Sequence, residues 1–206
     1  SEKSYKGKIL IINCNVNPGT VADCQKKVKH LGLIVAYSPE WVAQGSILKD
    51  QTNPDVLVIG HSDPEVQERI LNVYKIFLKN NPSIHKLSSK SAEITKILLN
   101  SYLTLKITFA NYAGDLLRRS GENPSKVLET IGSDTRIGSK YFSYGFGYGG
   151  PCFPRDIDAL ISYSESLDLD NNIFKSIKKY NKKHREEYIN YLISNSIDNT
   201  IEVECI

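Results

Sequence analysis

The residues best suited to chemistry lie in one stretch, Gly145-Phe-Gly-Tyr-Gly-Gly-Pro-Cys-Phe-Pro-Arg-Asp156. Cys152 supplies a thiol, whose thiolate is the nucleophilic form and is favoured by nearby cations. Arg155 and Asp156 put a cation and an anion within reach of it. Gly145, Gly147, Gly149 and Gly150 let the backbone approach a ligand closely. Pro151 and Pro154 stiffen the chain on either side of the thiol. The segment therefore reads as a nucleophile loop. The competing reading is a Gly/Pro turn with an incidental cysteine.

Three further clusters carry polar groups. Glu93, Lys96, Asn100 and Asn111 fall on one narrow stripe of a helix at 100° per residue. Lys96 and Asn100 stand one turn apart in an apolar stretch, where a buried lysine needs a partner or shifts its pKa. The same stripe could equally be the solvent face of an amphipathic helix. Tyr37-Ser-Pro-Glu-Trp-Val-Ala-Gln44 follows an expected strand, the place where parallel sheets present ligand contacts. Glu40 there suits a general base, or an ordinary surface carboxylate. Asn13-Cys-Asn-Val-Asn-Pro-Gly-Thr20 is another strand-then-turn segment, without a complete phosphate-cradling glycine fingerprint.

The elements that must position these groups change character along the chain. Apolar runs at Lys8–Asn13, Leu33–Tyr37 and Asp55–Gly60 read as strands. A helix over Val21–His30 ends before Gly32. Another opens at Asp63-Pro64-Glu65, an N-cap with proline in the first turn, and runs to about Leu78. This alternation predicts a parallel α/β layer. From about Ser91 the pattern is helical. A long helix spans Ser91–Ser120, ended by Gly121, with an apolar face of Ile94, Ile97, Leu98, Leu105 and Leu116. A second covers Asn123–Ile131, a loop runs from Gly132 to Arg155, and helices follow over Asp156–Glu165 and Asn172–Ser194. The fold class is α/β followed by all-α.

With 206 residues, 40% hydrophobic and 24% charged, the composition is that of a soluble globular protein. A net charge of +3 gives no argument for nucleic acid, and Lys26-Lys27, Lys178-Lys179 and Lys182 to Arg185 read as solvated helix faces. Cys14, Cys24, Cys152 and Cys205 form no CxxC pair and the four histidines are scattered, so no metal site is expected and a reducing, cytoplasmic setting is. No apolar run reaches membrane-spanning length and no signal peptide opens the sequence, so neither a membrane nor nucleic acid is expected as a partner. The sequence starts just before one apolar run and stops on another, Ile201–Ile206, as a piece of a longer protein would.

Taken together, these clusters resemble the nucleotide-sugar dehydrogenases, nearest in pattern to the members acting on UDP-glucose. Cys14-Asn-Val-Asn-Pro-Gly-Thr20 is similar to their Ser-Thr-Val-Pro-Pro-Gly-Thr segment. Ser38-Pro-Glu-Trp41 with Gly45-Ser-Ile47 is similar to their Pro-Glu-Phe loop. Ala92, Glu93, Lys96 and Asn100 match a helix motif, Ile131 to Gly138 match the Ile-Gly-x-Asp-x-Arg-Ile-Gly segment, and Gly147 to Asp156 match the cysteine loop. The order agrees from about Leu10 to Asn181. The resemblance implies the C-terminal part of a Rossmann-like NAD-binding domain at 1–87, a central helical dimerisation domain at 88–198, and the start of a UDP-binding Rossmann-like domain at 199–206. It implies NAD as cofactor, a UDP-sugar as substrate, and a homodimer through the long helix 91–120.

The resemblance also implies roles. Cys152 attacks the C6 aldehyde to give a thiohemiacetal, which on oxidation becomes a thioester that water hydrolyses. Lys96 and Asn100 stabilise the oxyanion, Glu40 is the base, and Asp156 orients water and Lys96. Arg136, Tyr141, Phe142, Tyr144, Gly147, Tyr148, Gly149, Gly150 and Trp41 contact the substrate. Asn15 and Arg155 contact the cofactor. The chain departs from the pattern at Asn15, Gln44, Tyr112, Pro151 and Arg155. Pro151 is shared with relatives acting on UDP-N-acetylhexosamines. Oxidation of GDP-mannose or of a UDP-N-acetylhexosamine, or a catalytically silent dimerisation or binding module, are the other readings.

Overall fold

The computed structural model describes residues 5–42 and 45–195. Gln44, Cys205 and the expected strand Ile201–Ile206 lie outside the described residues. The chain divides into two compact units, Ser1–Leu98 and Leu99–Ile206.

The first unit is a sheet of four strands in the order β1 (Ile9–Ile12), β2 (Ile34–Tyr37), β3 (Val56–Gly60), β4 (Ser83–Leu87). β1 pairs with β2, and β3 with β4, in parallel. Helices α1 (Thr20–Val28) and α3 (Pro64–Tyr74) make those two crossovers, as parallel neighbours require. The sheet is mixed, however, and not wholly parallel. β2 and β3 meet through one antiparallel pairing, Tyr37 with Gly60. The only helix between them among the described residues, α2 (Ile47–Thr52), has six residues and none of them is buried, so it cannot act as a covering crossover helix.

Alternation along the strands splits the core into two layers. Ala36, Leu57 and Ile59 pack against Val66, Ile70 and Leu71 of α3. Val35, Tyr37 and Val58 face the other way, onto Val21 of α1 and Ala92. A Cβ on Gly60 would lie 2.7 Å from the Ala92 side chain, so both positions must stay small. α3 stops at Tyr74, short of the expected Leu78. α2 and β4 have no counterpart in the sequence reading. β4 is an exposed edge strand carrying His85 and Lys86, and its polar pattern conceals it.

α4 (Ser89–Arg119) begins in the first unit and ends in the second. Its Glu93, 1% exposed, closes the start of α1. Glu93 Oε2 accepts from Gly19 N at 2.6 Å and Oε1 from Val21 N at 2.8 Å. α1 has no side-chain cap of its own, and a carboxylate there also meets the positive end of the helix dipole. Glu93→Ala leaves these donors unpaired and costs roughly 2–4 kcal/mol. Denaturant unfolding checks this, and a loss well under 1 kcal/mol would contradict it.

In the second unit α4 packs with its polar side inward. Ser101, Thr104, Thr108, Asn111 and Asp115, at spacings of three and four, are buried. The expected apolar face is only partly realised. Ile97 is buried, but Leu98 is 47% and Leu116 51% exposed. Around this helix stand α5 (Pro124–Gly132), α6 (Phe153–Ser166) and α7 (Asn172–Asn195). Asn123 caps α5 through bonds from Ser125 N and Lys126 N. α6 starts three residues before the expected Asp156. Pro154 fits its first turn, where a missing N–H costs nothing, so Cys152 becomes the N-cap residue. No helix among the described residues is long and apolar enough to cross a membrane.

Candidate functional site

In the first unit, α4 presents Lys96 to the turn after β2. Lys96 Nζ donates to Glu40 O at 2.8 Å and lies 4.6 Å from the centroid of the Trp41 ring. A buried ammonium is thereby held by a carbonyl and an aromatic face. The exposed Glu40 carboxylate accepts from Gln51 Nε2 at 3.1 Å. Asn15 lies in the turn that follows the C-terminal end of β1, where ligands meet open α/β sheets. The N-terminus of α1 is closed to a pyrophosphate, because the Glu93 carboxylate already takes the Gly19 and Val21 N–H groups. Asn15, which the resemblance assigns to NAD, is a polar residue in the turn leading to this closed helix start, where a phosphate cradle does not fit.

Asn100, one turn beyond Lys96 on α4, belongs to the second unit's cluster. Its Nδ2 donates to Asp156 Oδ2 at 2.6 Å. Asp156, 2% exposed, is also paired with Arg155, whose Nε is 3.1 Å from Oδ1. Asp156 N donates to Cys152 O at 2.9 Å in the first turn of α6. Cys152, Arg155, Asp156 and Asn100 are thus one structural group. Cys152 is exposed, at a helix start that favours negative charge beside it.

The other anticipated contacts scatter. Arg136 is exposed and bound to Asp134 through two guanidinium nitrogens at 2.6 and 3.0 Å. Lys106 holds the turn around it by donating to the carbonyls of Ile137, Gly138 and Lys140 at 2.7 to 3.0 Å. Tyr141 packs edge-on to Phe153. Phe142 is buried against Ala110 and Leu128, and so acts in the core rather than as an open face for a substrate. Asn181 clamps Tyr148, accepting from its N and donating to its O, both at 3.0 Å. Gly147 has φ 88°, and a Cβ there would meet Asn181 Oδ1 at 2.5 Å, so glycine is required beside the clamp. Gly149 and Gly150 continue the loop toward Cys152, Gly150 also with a positive φ of 72°.

Sequence reasoning missed the hub behind this loop. Asp115 accepts from the Tyr144 hydroxyl at 2.8 Å and the Tyr180 hydroxyl at 2.6 Å, and lies 2.8 Å from His184 Nδ1. Burial alone would raise the Asp115 carboxyl, but the bonds from Tyr180, His184 and Tyr144 outweigh it and hold it below the usual range. Only the helical offsets 111/115 on α4 and 181/184 on α7 hint at this in the sequence.

Burial, joined by the Asp115 bond, pushes the Tyr144 hydroxyl up to about 12. Burial, joined by the Asp158 charge, pushes Tyr148 up to about 12 as well. Tyr180 is raised by burial and Asp115 too. The unfolded chain loses these protons near pH 10 while the folded one keeps them. Stability is therefore full below pH 10 and falls as pH rises toward 12. Melting temperatures across that window check this, and Tyr148→Phe should flatten the fall.

Three comparisons bear on this arrangement. Residues 1–78 match the NAD binding domain of the UDP-glucose/GDP-mannose dehydrogenase family, and residues 90–183 match its central domain. The chain belongs to the UDP-glucose/GDP-mannose dehydrogenase family. The UDP-glucose 6-dehydrogenase of Pseudomonas aeruginosa is 31% identical over 186 residues, 86% of this chain and 41% of that protein. That of Caenorhabditis elegans is 30% identical over 177 residues, 84% of this chain and 37% of the relative. A UDP-glucose dehydrogenase structure from Pyrobaculum islandicum superposes with a TM-score of 0.77 at 34% identity, covering 90% of this chain and 43% of that one. The UDP-D-ManNAc dehydrogenase of Pyrococcus horikoshii, at 22% identity and a TM-score of 0.80, shares the fold over 94% of this chain and 46% of its own. This family member spans about two fifths of the length of the relatives it matches.

Proposed function

We propose that the protein carrying this chain oxidises the C6 alcohol of UDP-glucose to the carboxylate, with NAD, through Cys152. The observation that carries the reading is Cys152 itself, exposed at the start of α6 and backed by the buried Asp156–Asn100 pair. NAD, when bound, supplies the hydride acceptor for both oxidations. Cys152 Sγ adds to the C6 aldehyde, forming a C–S bond while the carbonyl oxygen takes the negative charge. Lys96 brings the positive charge, and Asn100 the amide, that such an oxyanion calls for. The thiohemiacetal loses a hydride to become a thioester. Water assisted by Glu40 adds to it, and the Cys152 thiolate leaves. Asp156 holds Asn100 in place. Asn15 and Arg155 are assigned to the cofactor, Arg136 and the Gly147–Gly150 segment to the sugar nucleotide.

The test is a panel of UDP-glucose, GDP-mannose and UDP-N-acetylmannosamine assayed with the natural protein. The largest kcat/KM for UDP-glucose, with an acid-quenched substrate adduct on the Cys152 peptide, supports the reading. A preference for another sugar, or no adduct, contradicts it.

The homodimer rests on the outward side of α4. Tyr102, Phe109, Tyr112 and Leu116 are more than half exposed and recur at the seven-, three- and four-residue spacings of a helix-pairing seam. Sedimentation should give a dimer, and Phe109→Glu a monomer. An unchanged mass for the variant would contradict the assignment.

A further inference from the structure

We propose that Asp115 and His184 form an ionic clamp that positions the glycine loop leading to Cys152. The inference rests on the reading of Cys152 as the nucleophile. His184 is fully buried, and both ring nitrogens are engaged. Nδ1 lies 2.8 Å from Asp115 Oδ2 and Nε2 lies 2.6 Å from Gly145 O. A carbonyl oxygen only accepts, and an ionised carboxylate only accepts. Asp115 already receives two tyrosine hydroxyls, has Arg118 3.9 Å away, and is held below the usual carboxyl range by these bonds, so it is ionised. Both His184 nitrogens must therefore donate, and a ring that donates twice is the imidazolium. Its flat faces are covered by Tyr180 and Tyr188, with centroids at 6.0 and 5.6 Å. Arg118 stands on the far side of the hub, its Nη2 3.9 Å from Asp115 Oδ1 and its Nε 3.2 Å from the Tyr144 hydroxyl.

The partners are spread so that the pair ties three segments together. Asp115 is on α4, His184 on α7, and Gly145 opens the loop that ends at Cys152. Gly145 is held from both sides, because its N–H donates to Asn111 Oδ1 at 2.9 Å while its carbonyl accepts from His184. The preceding residue, Tyr144, bonds to Asp115 and packs so closely that a Cβ on Gly114 would lie 2.0 Å from its ring. Tyr148 is fastened by Asn181 three residues before His184 on the same helix. The loop is thus ordered by backbone bonds before any ligand arrives. Such preorganisation acts on rate, since a misplacement of about 1 Å remote from the chemistry can cost on the order of 10²-fold. Asp115 and His184 are positioning residues and touch no reacting atom in this account.

The experiment compares the natural protein with Asp115→Asn, His184→Gln and the double variant, in which an amide pair replaces the ion pair. Two readouts are taken, amide hydrogen exchange over residues 144–150 and steady-state oxidation of UDP-glucose. Each single variant should speed exchange of the Gly145 and Tyr148 amides about tenfold or more and lower kcat by about 10- to 100-fold, with a smaller change in KM. The double variant should recover both to within about threefold, because no buried charge is then left alone. Unchanged exchange in the single variants, a melting temperature that falls while kcat stays level, or a double variant as impaired as the product of the singles would each overturn the clamp. If the unmodified protein oxidises no UDP-glucose, the substrate reading fails while the exchange data still decide the clamp.

Discussion

Cys152→Ala should abolish formation of the uronate, with kcat reduced by about 10³-fold or more, because removal of a covalent nucleophile removes the route itself. The fold should survive. Cys152 is an exposed N-cap residue that makes no side-chain capping bond, so its thiol supports little of the surrounding structure. A melting temperature within about 2 °C of the parent is expected, as for surface changes of a few tenths of a kcal/mol. Cys152→Ser keeps the shape and supplies a weaker nucleophile and a poorer leaving group, so it too should fail to complete the second oxidation. Retained turnover in the alanine variant, with both electron pairs transferred, would show that the thiol is incidental and that the segment is only a Gly/Pro-rich entry to α6.

Lys96→Met should lower kcat by about 10²–10³-fold, the usual loss when one preorganised donor to an oxyanion is removed. Methionine keeps an unbranched apolar stem over the Trp41 ring but withdraws the charge and the bond to Glu40 O. That lost bond costs roughly 1–3 kcal/mol of stability, so unfolding must be measured beside the rate. A rate loss far larger than the stability loss explains, with substrate KM little changed, marks a group acting in the transition state. A variant that merely melts earlier, and turns over normally at low temperature, would return Lys96 to a structural role.

The cysteine loop and its helical context were legible because glycines, prolines and a thiol in that order have few other uses. The beginning of α6 was not, because Phe153 and Pro154 carry no capping signal and the first-turn proline reads equally as a loop. The sequence leaves the inward side of α4 open for a physical reason. That helix is apolar on one side and polar on an adjoining one, and periodicity reports both faces without saying which is buried. Its polar side is inside because polar groups of the loop must be hydrogen-bonded there, the Gly145 N–H by Asn111 Oδ1 and the Tyr144 hydroxyl by Asp115 Oδ1. Glu93 stood out as a buried-stripe candidate, but its partners, 72 and 74 positions earlier at Val21 and Gly19, are beyond any local pattern. The same holds for Asp115 and His184, 69 positions apart. Strand β4 was hidden by its polar edge, and the antiparallel contact of β2 with β3 by an expectation that alternating elements make parallel sheets.

A four-electron oxidation through a covalent intermediate on Cys152 fixes the ratio of NADH to sugar. That ratio is read by absorbance as the natural protein consumes limiting UDP-glucose with excess NAD+. About two NADH per sugar are expected, because the thioester forms only after the second hydride leaves and water then releases the acid. One NADH per sugar with free aldehyde as product, or none at all, would contradict it.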